Sequence, residues 1–317
     1  MSRTMTLPYS SKQVMAQQAS LFVLTPTIFA LLGLFYFQYP LQDWIVSILP
    51  IPLFLGLGLL IIGSFIKESA LSKKLRISGW ISFSAYWATQ PNTLYYAEQQ
   101  DIFNAALCII GIYVLFYLAY HDWLSMKRNK NINSLRWIAG ASALAGLIYF
   151  IVDLTPLAEL LINSVAIQSG VLLDLFTEGV IINAPFLFYQ QANIRIIFAC
   201  TAVQSMVLFV GMILPLPNID RKRKLYGLLI TIVPIYFLNL IRNAGITYLV
   251  GIYGDSFFSI AHNYIGKGGS LLALIILLFI VAKIIPELFD EILALIDLPK
   301  ENGPIEQFIQ KHLWRKK

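Results

Sequence analysis

Apolar runs long enough to cross a bilayer as an α-helix, which takes about 20 residues, follow one another along most of this chain with only short polar breaks. Eight such runs are read as spans: 20–38, 45–66, 77–96, 102–120, 134–152, 197–216, 225–249 and 270–288. Of the 317 residues 58% are hydrophobic and 13% charged, whereas soluble domains carry roughly a quarter charged residues. A water-soluble fold is thereby excluded. The expected fold is an all-α polytopic membrane protein of about eight transmembrane helices, with a short extracytoplasmic β-hairpin before Cys200. Its length suits a single membrane-embedded domain, 1–317, made of a five-helix part (1–153), an extracytoplasmic segment (154–195), a three-helix part (196–290) and a cytoplasmic tail (291–317). The first run follows Arg3 and Lys12 as in a signal peptide, but it leads into Gln38-Tyr-Pro-Leu-Gln-Asp43 with no small-residue cleavage site, so it reads as a retained helix.

The formal charge of +6 would suggest nucleic acid in a soluble protein. Here it has a simpler origin, because cytoplasmic loops of membrane proteins accumulate Lys and Arg. Lys67, Lys73, Lys74 and Arg76, then Lys127, Arg128, Lys130 and Arg136, then Arg221-Lys-Arg-Lys224 fall in alternate loops. Both termini are therefore expected in the cytoplasm of a multi-pass plasma-membrane protein, and of the 23 Lys and Arg residues only Arg195, Arg242 and Lys267 fall outside. That assignment keeps 154–195 extracytoplasmic: 160–176 reads as an amphipathic helix in the interface. Val180–Tyr189 and Ala192–Phe198 read as two strands around Gln190-Gln191, with Pro185 confining the first to an edge or a bulge. Tyr95-Tyr96 and Trp123 suit an aromatic belt. Gly266-Lys-Gly-Gly269 lacks the spacing of a phosphate-binding loop, and no repeat suggests an inverted-repeat transporter.

Cys108 lies within an apolar run and packs as a small apolar residue, so the two cysteines are no disulfide framework. Cys200 is different. It precedes Arg221 by 21 residues, and Arg242 follows Lys224 by 18, so at helical rise both stand roughly 27–32 Å from the inner surface. His262 precedes the last span on the same side. Singly, each has a plain reading: packing for the cysteine, interfacial snorkelling for the arginine, loop polarity for the histidine. Their common side and depth make them a candidate site. At a strand-to-helix junction the N–H groups of the first helical turn, with a nearby cation, favour the thiolate, making Cys200 a nucleophile. Arg242 cannot lose its proton and suits an oxyanion; His262 titrates near neutrality and suits proton relay. Asn239 and Asn243 recur with Arg242 at helical spacing and can orient it or a substrate backbone, and Thr201 and Gln204 flank Cys200 in a similar way.

At these residues the sequence resembles the exosortase/archaeosortase family of membrane transpeptidases, and most closely its archaeal branch. The resemblance is carried by Ile197-Phe-Ala-Cys-Thr-Ala-Val-Gln-Ser-Met206, Tyr236-Phe-Leu-Asn-Leu-Ile-Arg-Asn-Ala-Gly-Ile246 and Phe257-Phe-Ser-Ile-Ala-His-Asn-Tyr-Ile-Gly266, over about Gly179 to Asp290. Many exosortases have Ser and Gly directly after the cysteine; Thr201 and Ala202 stand here. The archaeal branch varies in its last basic position, so Lys267 is the alternative to His262. The resemblance implies substrates that are surface proteins ending in a short motif (Pro-Gly-Phe in the archaeal type), a hydrophobic helix and a basic tail. Such a signal is cleaved and the new carboxyl end joined to a membrane lipid through a thioester at Cys200, with no metal or organic cofactor and no nucleic acid. The alternatives are a transporter or lipid-handling protein, in which Arg242 holds an anionic head group and Cys200 is silent, and an acyltransferase acting on lipids alone.

Overall fold

Ser69 starts a helix where hydropathy alone sees a loop. In the computed structural model, which describes residues 9–96 and 102–312, its hydroxyl accepts from the backbone N–H of Ser72 while the Ser72 hydroxyl accepts from that of Ser69, a reciprocal cap. The fourth helix therefore runs from Ala70 to Trp87 instead of over 77–96, and Lys73, Lys74 and Arg76 are helical residues rather than loop charges. Arg3 and the terminal Arg315, Lys316 and Lys317, which the charge argument uses, lie outside the described residues.

In chain order the helices are α1 (Tyr9–Phe35), α2 (Asp43–Ile48), α3 (Pro50–Phe65), α4 (Ala70–Trp87), α5 (Pro91–Tyr96), α6 (Ile102–Lys127), α7 (Asn133–Asp153) and α8 (Leu157–Asp174). After a small sheet come α9 (Val203–Ile213), α10 (Arg221–Tyr253), α11 (Lys267–Ile284), α12 (Pro286–Ile296) and α13 (Pro304–His312). Among the described residues, 7 helical stretches are long and apolar enough to cross a membrane. The chain is a polytopic all-α membrane protein. Two of the expected runs need correcting. The run 197–216 yields only the 11 residues of α9, about 17 Å of helix against a hydrocarbon core of about 30 Å. The left-handed Ala202 bounds it on one side, and Pro215 and Pro217 follow on the other. The segment expected to lie in the interface forms α8, which by length and composition is also apolar enough for a span. The last apolar stretch begins at Asp255, well before residue 270.

The chain divides into two compact units, Met1–Gly140 with Glu291–Lys317, and Ala141–Asp290. In the first, glycines let α3 and α4 meet backbone to backbone: a Cβ on Gly56 would stand 2.6 Å from Phe83 N. Near this contact Arg76, 1% exposed, donates to both Glu68 oxygens and to Asp122 Oδ1 at 2.7–2.9 Å and to the Gly63 carbonyl at 3.1 Å. Lys73, also buried, donates to the Lys130 carbonyl at 2.7 Å. Trp123 is not in an aromatic belt; it is buried among Ala19, Tyr120 and Leu124. Glu306 of α13 accepts from the hydroxyls of Tyr117 and Tyr120 and from Gly303 N, each at 2.9 Å. His121 Nε2 lies 3.2 Å from the same carboxylate, close enough to pair though not aligned as a hydrogen bond.

The second unit is built around a sheet of three antiparallel strands, β1 (Ile181–Asn183), β2 (Phe186–Tyr189) and β3 (Ala192–Arg195), in that order. Two strands were expected. Pro185, lacking an N–H, sits in no ladder but in the turn between β1 and β2, and so divides the first expected strand in two. Its carbonyl accepts from Ile196 N at 2.9 Å. Alternation along β2 buries Leu187 and Tyr189. Leu187 meets Val165 and Ala166 of α8, and Tyr189 lies against Gly251 of α10, where a Cβ would stand 2.8 Å from its carbonyl oxygen.

Candidate active site

From β3 the chain enters a single 3-10 turn, Phe198–Cys200, rather than passing straight into a helix. Cys200 N donates to Ile197 O at 2.8 Å, and the Thr201 hydroxyl closes the turn on Phe198 O at 2.7 Å. Thr201 is buried; Gln204, already on α9, is exposed and takes no part in the turn. The expected strand-to-helix junction at Cys200 is thus two junctions. The thiol ends the first turn, and α9 begins at Val203 after the left-handed Ala202, φ 62°. Cys200 is 9% exposed and packs with Val165, Ala166, Leu187, Ile196 and Leu240. Both cysteines are free.

Asn239 and Asn243, both buried, turn their side-chain nitrogens on one atom, the backbone carbonyl oxygen of Cys200, at 2.8 and 3.0 Å. They were expected to orient Arg242 or a substrate; they hold the cysteine. The two residues are one helical turn apart on α10, and Arg242, between them, faces about a quarter-turn to the side. Its Nε is buried with no hydrogen-bond partner among the described residues. It lies 3.5 Å from where a Cβ on Gly266 would be, so the absence of a side chain there leaves space for the guanidinium.

Gly266 ends a π-helix, Ile260–Gly266, that leads directly into α11. His262 was expected in a loop and stands instead in this wide helix, half-buried, its ring stacked on Phe258 with centroids 5.2 Å apart. π-Turns open the backbone ladder and recur at functional sites. The neighbouring Ala261 packs with Ala192 of β3 and with Ile246 and Val250 of α10. Lys267 is exposed at the first position of α11. The structure thus joins Cys200 to Asn239 and Asn243 by hydrogen bonds and sets Arg242 against the helix that carries His262. Sequence reasoning missed α8 as a wall of the cysteine's surroundings. The signal was the small residues Ala166, Ser169 and Gly170 at helical spacing, the pattern by which apolar helices approach closely.

No solved structure matches this chain. The archaeosortase A of Natronomonas pharaonis is 24% identical over 268 residues, covering 73% of this chain and 82% of that protein. The archaeosortase A of Haloferax volcanii is 23% identical over 282 residues, covering 74% and 90%. A family model described as transmembrane exosortase (Exosortase_EpsH) matches residues 67–280, a stretch that contains Cys200, Asn239, Arg242, Asn243 and His262. With more than half of its length so matched, the chain belongs to the exosortase/archaeosortase family of transmembrane proteins.

Proposed function

We propose that the protein is a membrane cysteine transpeptidase that cleaves C-terminal sorting signals of surface proteins and transfers the new carboxyl end to a membrane lipid. One observation carries this reading: the amides flanking Arg242 hold the peptide carbonyl of Cys200, so two distant sequence motifs meet at the only cysteine outside the first unit. The relatives named archaeosortase A support the reaction class.

In this reading the Cys200 thiolate attacks the scissile carbonyl carbon. The oxyanion of the tetrahedral adduct is held by Arg242, whose Nε has no competing partner among the described residues. Collapse breaks the C–N bond, His262 gives its proton to the leaving amine, and an acyl thioester remains on Cys200. A nucleophilic lipid head group then loses its proton to His262 and attacks the thioester, and the thiolate departs. Lys267 is the alternative proton carrier. The signal is a Pro-Gly-Phe-type motif followed by an apolar helix and a basic tail. The site lies on the extracytoplasmic side, with both termini and the Arg221–Lys224 run in the cytoplasm.

A reporter ending in Pro-Gly-Phe, an apolar helix and basic residues is expected to be shortened by the parent protein and to remain full length with an inserted Cys200→Ala variant. Processing by that variant would sink the reading and favour a lipid-handling protein in which Arg242 binds an anionic head group. A cysteine placed at Lys222 should resist a membrane-impermeant thiol reagent applied from outside; its labelling would overturn the topology.

A further inference from the structure

In an uninterrupted helix the Cys200 carbonyl would accept the N–H four residues on. The left-handed Ala202 breaks the helix between the 3-10 turn and α9, and the next backbone bond across the break, Met206 N to Ala202 O at 3.0 Å, bypasses it. A buried carbonyl cannot be left unsatisfied without cost, and it has two lone pairs. Asn239 and Asn243 supply two donors, at 2.8 and 3.0 Å, from buried side chains one helical turn apart. Because the acceptor is a carbonyl, each amide must present its nitrogen. One donor would leave the peptide plane free to swing about a single hydrogen bond; two from a rigid helix fix it.

We propose that Asn239 and Asn243 are positioning residues: by clamping the Cys200 peptide to α10 they aim the thiol and draw off the negative partial charge that this carbonyl would otherwise set beside a thiolate. The inference rests on Cys200 being the nucleophile. It extends that reading by making the fourth-residue spacing of the two amides, with Arg242 between them, a requirement of the cysteine rather than of the substrate.

The test uses the full chain in lipid with Cys108→Ser, so that Cys200 is the remaining thiol, and follows its alkylation by iodoacetamide against pH without any substrate. Reporter processing is measured in parallel. Asn239→Ala and Asn243→Ala should each shift the midpoint of the alkylation profile to higher pH and lower kcat by about 3- to 10-fold, with KM unchanged. The double variant should lose more than either. Asn239→Asp keeps the shape and removes the donor; acidification that protonates the new carboxyl restores one, so its rate relative to the parent should rise as pH falls. An unchanged alkylation midpoint in variants that insert and melt like the parent overturns the proposal, whether or not processing is lost, since the amides would then act elsewhere. Retained processing by Cys200→Ala would instead remove the nucleophile reading, a result the alkylation profiles do not depend on.

Discussion

Ala202 adopts φ 62°, a left-handed conformation that costs a residue with a Cβ about 1–2 kcal/mol. Alanine at this position is what the resemblance to the archaeal branch leads one to expect, where many exosortases have glycine, and the turn that releases the Cys200 carbonyl needs a backbone that glycine adopts freely. Ala202→Val should lower stability by about 2 kcal/mol, because a β-branched side chain fits this region worst. Ala202→Gly should gain about 0.5 kcal/mol, the relief being partly offset by chain entropy; thermal melts in detergent compare the two. Glu306 offers a second residue-scale test. Burial works to raise its pKa, yet the contact with His121, its own backbone, and the hydroxyls of Tyr117 and Tyr120 lower it from 4.5 to about 2. The folded value lies below the unfolded one, so its contribution is present above about pH 4.5 and is lost as pH falls through about 2, on the order of 3 kcal/mol in all. Melts between pH 7 and pH 2 should show this loss in the parent and not in Glu306→Gln. The candidate nucleophile, arginine and histidine can be picked out in the sequence by residue type and by their spacing from the basic loop. That the asparagines serve the cysteine was not, because it depends on one backbone angle at Ala202.

At the scale of elements, hydropathy located most of the long apolar stretches, but it counted 77–96 and 197–216 among them and misplaced ends wherever a polar signal was local. The Ser69/Ser72 cap is visible in sequence, but Lys73 and Arg76 after it read as loop charges because their buried partners, the Lys130 carbonyl and Asp122, lie about fifty residues away. The helix after the sheet looked long because its apolar run includes the 3-10 turn, which composition cannot distinguish from helix. Two glycines separate tolerant from intolerant contacts in this region. On Gly251 a Cβ would meet the Tyr189 carbonyl oxygen at 2.8 Å, backbone that the sheet holds in place; on Gly170 it would meet side-chain carbons of Ile182 and Leu187 at 2.6–2.9 Å, which can rotate away. Gly251→Ala should therefore cost about 2–3 kcal/mol and Gly170→Ala about 1 kcal/mol, with reporter processing falling in the same order.

For the molecule as a whole, the N-terminal five-helix part reads in sequence as a series of apolar spans, and the structure gives it a charged interior. Arg76 with Glu68 and Asp122 is a buried network whose worth lies in being complete. Removing one member strands the others: Arg76→Ala should cost about 3–5 kcal/mol, whereas replacing all three by apolar residues of similar volume should recover much of it. Yield and monodispersity in size-exclusion chromatography would distinguish the two outcomes. In the second unit, the clamp between Cys200 and α10 has a different consequence. Helices adapt to thicker or thinner bilayers by changing tilt. Since the cysteine's peptide is tied to the helix that carries Arg242, a change of tilt carries thiol and guanidinium along together, and their spacing is set by the protein instead of by the thickness of the surrounding lipid.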